Sequence, residues 1–181
     1  MESQSETEHF LRLAIALAKQ ARAQGNEPFG AVLVYDGIAV HQATDRTLEL
    51  CNPLMHAEIA CISEYCQASH QIALENYTLY TSCEPCEMCA SAIHQAKISR
   101  VVFSVSQAMF DQLRTGNPNC GGTRLLVESG APVEVIGPLL ADEGLAVFEG
   151  YVFESKQARY HRRMAAGGRE DAPAGPEAPG R

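Results

Sequence analysis

Two short segments constrain this chain more than any other feature. His56-Ala57-Glu58 places an imidazole and a carboxylate two positions apart, and Pro85-Cys86-Glu87-Met88-Cys89 places two thiols three positions apart. Residues three apart lie on one face of a helix's first turn, so both thiols can reach one ion. Because one neutral imidazole and two thiolates suit zinc, the segments predict a zinc site with three protein ligands. These ligands are His56, Cys86 and Cys89.

Glu58 is not needed as a ligand, and this gives the site a catalytic interpretation. Three protein ligands leave one corner of a zinc tetrahedron open, which distinguishes a catalytic zinc from a structural one. The ion lowers the pKa of a bound water from about 16 to about 7. We expect Glu58 to move protons between that water, a ring nitrogen and an amino group, so that hydroxyl replaces the amino group and ammonia leaves.

Cys83 provides an alternative interpretation of the same segment. Its thiolate, as a fourth ligand, would close the site and make it structural. We expect Pro85 to begin the following helix, because proline is favoured at the first helical position. Cys83 would then lie before the helix, at the end of a strand. The alternative function is a non-catalytic, zinc-stabilised interaction module.

Hydrophobic periodicity predicts alternating strands and helices. The predicted strands cover residues 29–35, 38–43, 78–81, 100–105 and 133–136. The predicted helices cover residues 7–24, 56–67, 85–96 and 142–163, the last as one long terminal helix. Residues 106–122 show no clear pattern. This alternation implies an α/β layered domain.

Composition predicts one folded domain followed by a tail. The chain has 181 residues, and we expect a single domain over residues 1–164. Residues 165–181 are rich in Ala, Gly, Pro and charge, which predicts a disordered tail. The net charge of −8 disfavours non-specific nucleic-acid binding. The number of cysteines, seven, is odd and favours a reducing cytoplasm. The acidic N-terminus argues against a targeting sequence, and we expect no membrane segment.

The two metal-binding segments resemble the H-x-E and P-C-x-x-C pattern of the cytidine/deoxycytidylate deaminase superfamily. The resemblance is to the branch of guanine deaminases, cytosine deaminases and tRNA adenosine deaminases. It extends to residues 28–32, 79–84 and 100–103. It implies a three-layer α/β/α cytidine-deaminase-like fold with a central mixed five-stranded sheet, a Zn²⁺ cofactor and a homodimer. The implied activity is hydrolytic deamination of a nucleobase, nucleoside or related amino-substituted N-heterocycle, a small-molecule heterocyclic amine.

The resemblance also suggests four substrate contacts. Phe29 would pack on the substrate ring, although a core role is equally open, and the Ala57 N–H would contact the ring edge. Asp45 takes the place of the family's usual Asn. An ionised Asp only accepts hydrogen bonds, so we expect substrate N–H donors there, unless Asp45 is a solvated loop charge. Asp111 loosely matches an acidic residue that touches substrate in guanine deaminases.

A tRNA adenosine deaminase is the second enzymatic interpretation. A basic cluster near the C-terminus would bind RNA phosphates, or would simply complement a helix dipole. Its members are Lys156, Arg159, Arg162 and Arg163. The segment after Phe103 lacks the short basic motif of the tRNA-editing relatives, and this absence favours a small substrate.

Overall fold

The computed structural model describes residues 3–114, 121–130 and 132–166. Five strands form one sheet in the order β2-β1-β3-β4-β5. They are β1 (Gly30–Tyr35), β2 (Ile38–Thr44), β3 (Thr78–Cys83), β4 (Arg100–Val105) and β5 (Glu134–Ile136). β1 pairs antiparallel with β2 and β3, whereas β3, β4 and β5 run parallel, so the sheet is mixed as predicted. Cys120 and residues 167–181 of the predicted tail lie outside the described residues.

Helices cover both faces of this sheet. They are α1 (Gln4–Ala23), α2 (Ala57–Ser69), α3 (Glu87–Gln95), α4 (Gln107–Gln112), α5 (Gly122–Glu128), α6 (Ala141–Leu145) and α7 (Lys156–Ala165). Alternate strand residues divide between the faces because successive side chains of a strand point to opposite sides. Val32 and Tyr80 pack with α1, whereas Leu33 and Leu79 pack with α2 and α3. The predicted three-layer α/β fold is therefore confirmed.

Strand direction brings distant segments together at one edge of the sheet. The parallel strands β3 and β4 end beside each other, with Cys83 opposite Val105. β1 runs the other way, so its beginning lies next to the end of β3, and Phe29 immediately precedes it. The end of β2 reaches the same edge, where the Asp45 N–H donates to the Phe29 carbonyl oxygen at 3.0 Å. This edge carries the site described below.

The prediction of one long terminal helix over residues 142–163 is wrong. α6 continues into a single 3₁₀ turn, Ala146–Phe148, and a non-helical segment then leads to α7. Gly150 adopts φ +65°, a left-handed conformation that ends the helical path. Ser155 starts α7 as its N-cap, because its side chain accepts from the Ala158 N–H. Tyr151 and Phe153 lie between these two signals and pack in the core, which holds the segment against the domain.

No helix within residues 3–114, 121–130 and 132–166 has both the length and the apolar character of a membrane span.

Candidate active site

Two helix N-termini converge at the sheet edge. His56 is the N-cap of α2, with extended backbone at φ −64° and ψ 157°. Cys86 is the N-cap of α3, with φ −71° and ψ 172°. The prediction that Pro85 opens the helix is therefore wrong, because Pro85 precedes the N-cap. Cys86 remains outside the helix and Cys89 lies in its first turn, so both sulfurs project from the helix start, where the free N–H groups favour negative charge.

The three predicted ligand atoms form a compact triangle. His56 Nδ1 lies 3.7 Å from Cys86 Sγ and 3.6 Å from Cys89 Sγ, and the two sulfurs are 3.6 Å apart. Zinc–nitrogen bonds of about 2.0 Å and zinc–sulfur bonds of about 2.3 Å give tetrahedral edges of about 3.5–3.8 Å. The observed edges therefore fit one zinc ion. Within the described part of the chain, the group able to hold a metal ion consists of these three residues and does not include Cys83.

Hydrogen bonding prepares one of the sulfurs as a thiolate. Hydrogen bonds from the Cys89 thiol and from His56 lower the pKa of Cys86 to about 3, against the opposing effect of burial. Cys83, at the end of β3, has a pKa that burial raises well above its usual value. The hydrogen bond with Cys86 and burial raise the pKa of Cys89 as well, so geometry, and not the pKa, separates Cys83 from the two ligand sulfurs.

Glu58 lies directly beside the ligand triangle. It occupies the first turn of α2 and is almost fully buried. Cys89 Sγ lies 3.5 Å from Glu58 Oε2. Burial raises the pKa of Glu58, and the nearby His56 charge works in the opposite direction. A carboxyl group with a raised pKa is suited to both accepting and releasing a proton near neutral pH.

A cavity of about 430 Å³ opens over this group, a size typical of small-molecule sites. Its described wall consists of Glu27, Phe29, His56, Glu58, Cys83, Glu84, Cys86, Gln107, Phe110, Arg114, Phe153, Glu154, Ser155 and Lys156. Phe29 has its ring centroid 5.6 Å from that of Phe110. Phe29 therefore faces the cavity and also packs in the core, so the two roles considered for it are both compatible with its position. Ala57 begins α2 fully buried, with an N–H that has no intrahelical acceptor.

The two predicted acidic contacts are engaged with protein groups. Asp45 is 1% exposed, so it is not a solvated loop charge. Its Oδ1 accepts from the Thr47 N–H at 2.9 Å and from the Thr47 hydroxyl at 2.7 Å. Burial raises the pKa of Asp45, although the Thr47 hydrogen bonds oppose the effect. Asp111 Oδ1 accepts from Arg114 Nε at 2.9 Å. Arg114 lines the described cavity wall, whereas Asp45 and Asp111 do not.

Glu27 was not predicted from the sequence, and Lys156 was considered only in a basic cluster for RNA phosphates, yet both line the cavity. Lys156 Nζ lies 2.9 Å from His56 Nε2, on the far side of the imidazole from the sulfurs. Glu27 directly precedes Pro28 and β1, and a charged residue immediately before a buried strand is the sequence signal that would have indicated it. Lys156 had no such signal, because its position depends on the break in the terminal helix.

The three arginines of α7 are paired with groups of the domain. Arg159 Nε lies 3.4 Å from Glu27 Oε1, and its side chain is 14% exposed. Arg162 forms an ion pair with Glu154. Arg163 Nη1 donates to the Gln24 carbonyl oxygen at 2.8 Å. These contacts hold α7 against the rim of the cavity.

Comparison with known proteins gives this geometry a family. Residues 4–105 match the cytidine and deoxycytidylate deaminase zinc-binding region. The chain belongs to this family. The match contains all three ligands of the triangle and Glu58, so the family's zinc-binding region coincides with the cluster that fits a zinc ion.

Two relatives and one structural neighbour of this chain carry three different substrate names. The chain is 38% identical over 112 residues to a tRNA-specific adenosine deaminase of Agrobacterium fabrum, covering 62% of this chain and 74% of the relative. It is 31% identical over 147 residues to a probable cytosine deaminase of Schizosaccharomyces pombe, covering 78% and 90%. The solved guanine deaminase of Nitrosomonas europaea shares the fold, with a TM-score of 0.70, 19% identity, and coverage of 83% and 85%. The predicted superfamily and branch are thus confirmed, and the individual substrate is not settled by them.

Proposed function

We propose that this chain is a hydrolytic deaminase of a free nucleobase, a nucleoside or a related amino-substituted N-heterocycle. The observation that carries the proposal is the buried Glu58 beside a ligand triangle that fits zinc, at the base of a cavity of about 430 Å³. The reaction consumes water and converts a ring C–NH₂ group to a ring carbonyl with release of ammonia.

Each residue of the site has its own role in this reaction. His56, Cys86 and Cys89 would hold zinc, which when bound supplies an activated water with a pKa near 7. Glu58 would take up the proton that this water releases, pass it to the ring nitrogen, and then carry a second proton to the leaving amino group. Such general acid–base assistance contributes about 10²–10⁴-fold to the rate. We assign the Ala57 N–H and the Phe29 ring to the edge and face of the substrate.

The wall of the cavity favours a small substrate. The segment that ends in Ser155 and Lys156 lines the cavity, so the chain itself covers part of the opening that a polynucleotide loop would need. The α7 arginines are paired with Glu27, Glu154 and a backbone carbonyl, and paired arginines are less available to bind phosphates. The net charge of −8 further opposes a phosphate backbone.

A tRNA adenosine deaminase is the second candidate, favoured by the 38% identity to the Agrobacterium enzyme. It would require a base flipped out of a tRNA loop into the cavity. Inosine formation in an anticodon stem-loop, with strongly salt-dependent binding, would support it. The interaction-module alternative is weakened because Cys83 stays outside the ligand cluster of the described residues.

Ammonia release is the direct test of the proposed function. The zinc-loaded protein is assayed with guanine, cytosine, adenine, their nucleosides and aminotriazines, and in parallel with a tRNA anticodon stem-loop. We expect release from at least one small substrate and loss of release in Glu58→Gln. No release from any small substrate at full zinc occupancy would contradict the proposal.

Two further assignments belong to this proposal. We place the enzyme in the cytoplasm as a homodimer, and light scattering of the purified chain checks the dimer. We also retain Asp45 and Asp111 as residues that influence the substrate from behind the wall. Asp111 would act through Arg114, and Asp45 through its charge, which raises the pKa of the wall residue Glu27. If Asp45→Asn leaves the substrate preference unchanged, Asp45 has no part in recognition.

A further inference from the structure

Glu27 is the residue of the cavity wall whose role the proposed chemistry does not explain. It lies at the sheet edge, immediately before Pro28, and its side chain is 12% exposed. Its Oε2 accepts from the Tyr151 hydroxyl at 2.9 Å. Its Oε1 is buried and has no hydrogen-bond partner within the described residues, although Arg159 Nε lies 3.4 Å away as an ion-pair partner. One oxygen of this carboxylate is therefore anchored and the other can still accept.

The other carboxylates of the described cavity wall are already committed. Glu58 is beside the ligand triangle and is assigned to proton transfer. Glu84 accepts from the Gln107 N–H at 2.8 Å and from the Thr123 hydroxyl. Glu154 forms an ion pair with Arg162. Glu27 Oε1 is thus the buried carboxylate oxygen of this wall that accepts no hydrogen bond from the described residues.

The surroundings of Glu27 define the chemistry that it can recognise. An ionised carboxylate accepts hydrogen bonds and donates none. Burial raises the pKa of Glu27, the Arg159 charge lowers it, and the charge of Asp45 raises it again. A ligand N–H group at this position would relieve the unfavourable burial of the charge, whereas a ligand carbonyl oxygen would face it with two acceptors and no donor.

We propose that Glu27 recognises the substrate by accepting a hydrogen bond from a second N–H group, separate from the amino group that is removed. The preferred substrates are then planar heterocycles that carry two amino groups, one of which is removed and one of which donates to Glu27. This inference rests on the proposed function and defines its substrate class.

Matched substrate pairs test the proposal. 2,4-Diaminopyrimidine differs from cytosine by an amino group in place of an oxo group, and 2,6-diaminopurine differs from adenine by one added amino group. We expect the zinc-loaded wild-type protein to favour the diamino member of a pair by about 10- to 100-fold in kcat/KM, as expected for a hydrogen bond to a charged acceptor. In Glu27→Gln the amide keeps an acceptor for Tyr151 and turns a donor to the cavity, so the ratio falls to about 1 or below.

Two control variants separate recognition from a structural role. Tyr151→Phe and Arg159→Gln remove the partners of Glu27 but keep its carboxylate. If Glu27 only anchors the C-terminal segment, both controls will change the substrate ratio as Glu27→Gln does. If it recognises substrate, they will lower kcat/KM for both members of a pair and leave the ratio near the wild-type value.

Calorimetry measures the binding of each compound to the zinc-loaded Glu58→Gln protein. It includes compounds that are not turned over, and it does not depend on a Glu27 variant that folds. Tighter binding of cytosine than of 2,4-diaminopyrimidine, and of adenine than of 2,6-diaminopurine, would overturn the proposal. If the wild-type protein releases ammonia but Glu27→Gln keeps the wild-type substrate ratio, the proposed role of Glu27 is overturned. The proposed function then still stands. Failure of the whole substrate panel would instead reject the proposed function.

Discussion

Gly122 controls the position of a zinc ligand although it is not a ligand itself. Its N–H donates to the Pro85 carbonyl oxygen at 2.8 Å, which packs the start of α5 against the loop before α3. A Cβ added at Gly122 would lie 2.5 Å from the Cys86 carbonyl carbon and 2.7 Å from the Pro85 oxygen. Carbon atoms in contact normally stand about 3.5 Å or more apart, so Gly122→Ala requires a displacement of about 1 Å.

The displaced atoms belong to the backbone of Cys86, so the effect reaches the zinc site. Metal–ligand distances tolerate deviations of only about 0.2 Å, far less than the required movement. We expect Gly122→Ala to weaken zinc binding by about 10- to 100-fold, the range seen when groups that orient ligands are altered. We also expect a stability loss of about 1–3 kcal/mol, typical of overpacking. Competition with a chromophoric chelator measures the affinity, and thermal unfolding measures the stability.

The other end of α5 supplies a matched control. A Cβ at Gly130 would meet nothing within 4 Å, but its φ of +68° makes Ala unfavourable there. Gly130→Ala should therefore lower stability by about 1 kcal/mol and leave zinc affinity unchanged. Wild-type zinc affinity in Gly122→Ala would refute the inference that this contact positions Cys86.

Three further substitutions probe the charges of the site. Glu58→Gln should lower kcat by about 10²–10⁴-fold without loss of bound zinc, which ammonia release and metal analysis check together. Asp45→Asn should stabilise the protein at neutral pH, because it removes a buried charge. Burial raises the folded pKa of Asp45, so ionisation above the unfolded value costs stability, and unfolding curves should converge with the wild type as the pH falls to about 3.8 and below. If the free energies of unfolding of the variant and the wild type differ by the same amount at acidic and neutral pH, this cause is contradicted. Lys156→Gln should tighten zinc binding by about tenfold. The reason is that His56 keeps a proton on Nε2 when Nδ1 binds a metal, and this proton would then face an amide oxygen instead of an ammonium group. Unchanged zinc affinity in the chelator competition would contradict this prediction.

The zinc ligands could be predicted from sequence because their geometry is local. His56 and Glu58 share one helix start, as do Cys86 and Cys89, and spacing within one turn fixes which side chains share a face. The α/β layering could be predicted from the alternation of apolar segments, whereas the mixed five-stranded sheet was implied by the family resemblance. The terminal region could not be predicted in this way. Apolar periodicity suggested one helix there, but tertiary packing of Phe153 and the left-handed conformation of Gly150 interrupt it.

The same contrast explains why the family does not determine the substrate. The family match ends at residue 105, after the zinc ligands and Glu58. Much of the cavity wall lies beyond it, on α4 and in the segment that leads into α7. Relatives with tRNA, cytosine and guanine in their names can therefore share the zinc-binding region while this later part of the chain differs. Glu27 lies within the matched region but takes its partners, Tyr151 and Arg159, from outside it, as Glu84 does. Exchange of the C-terminal segment between relatives should consequently change substrate preference while zinc affinity is kept.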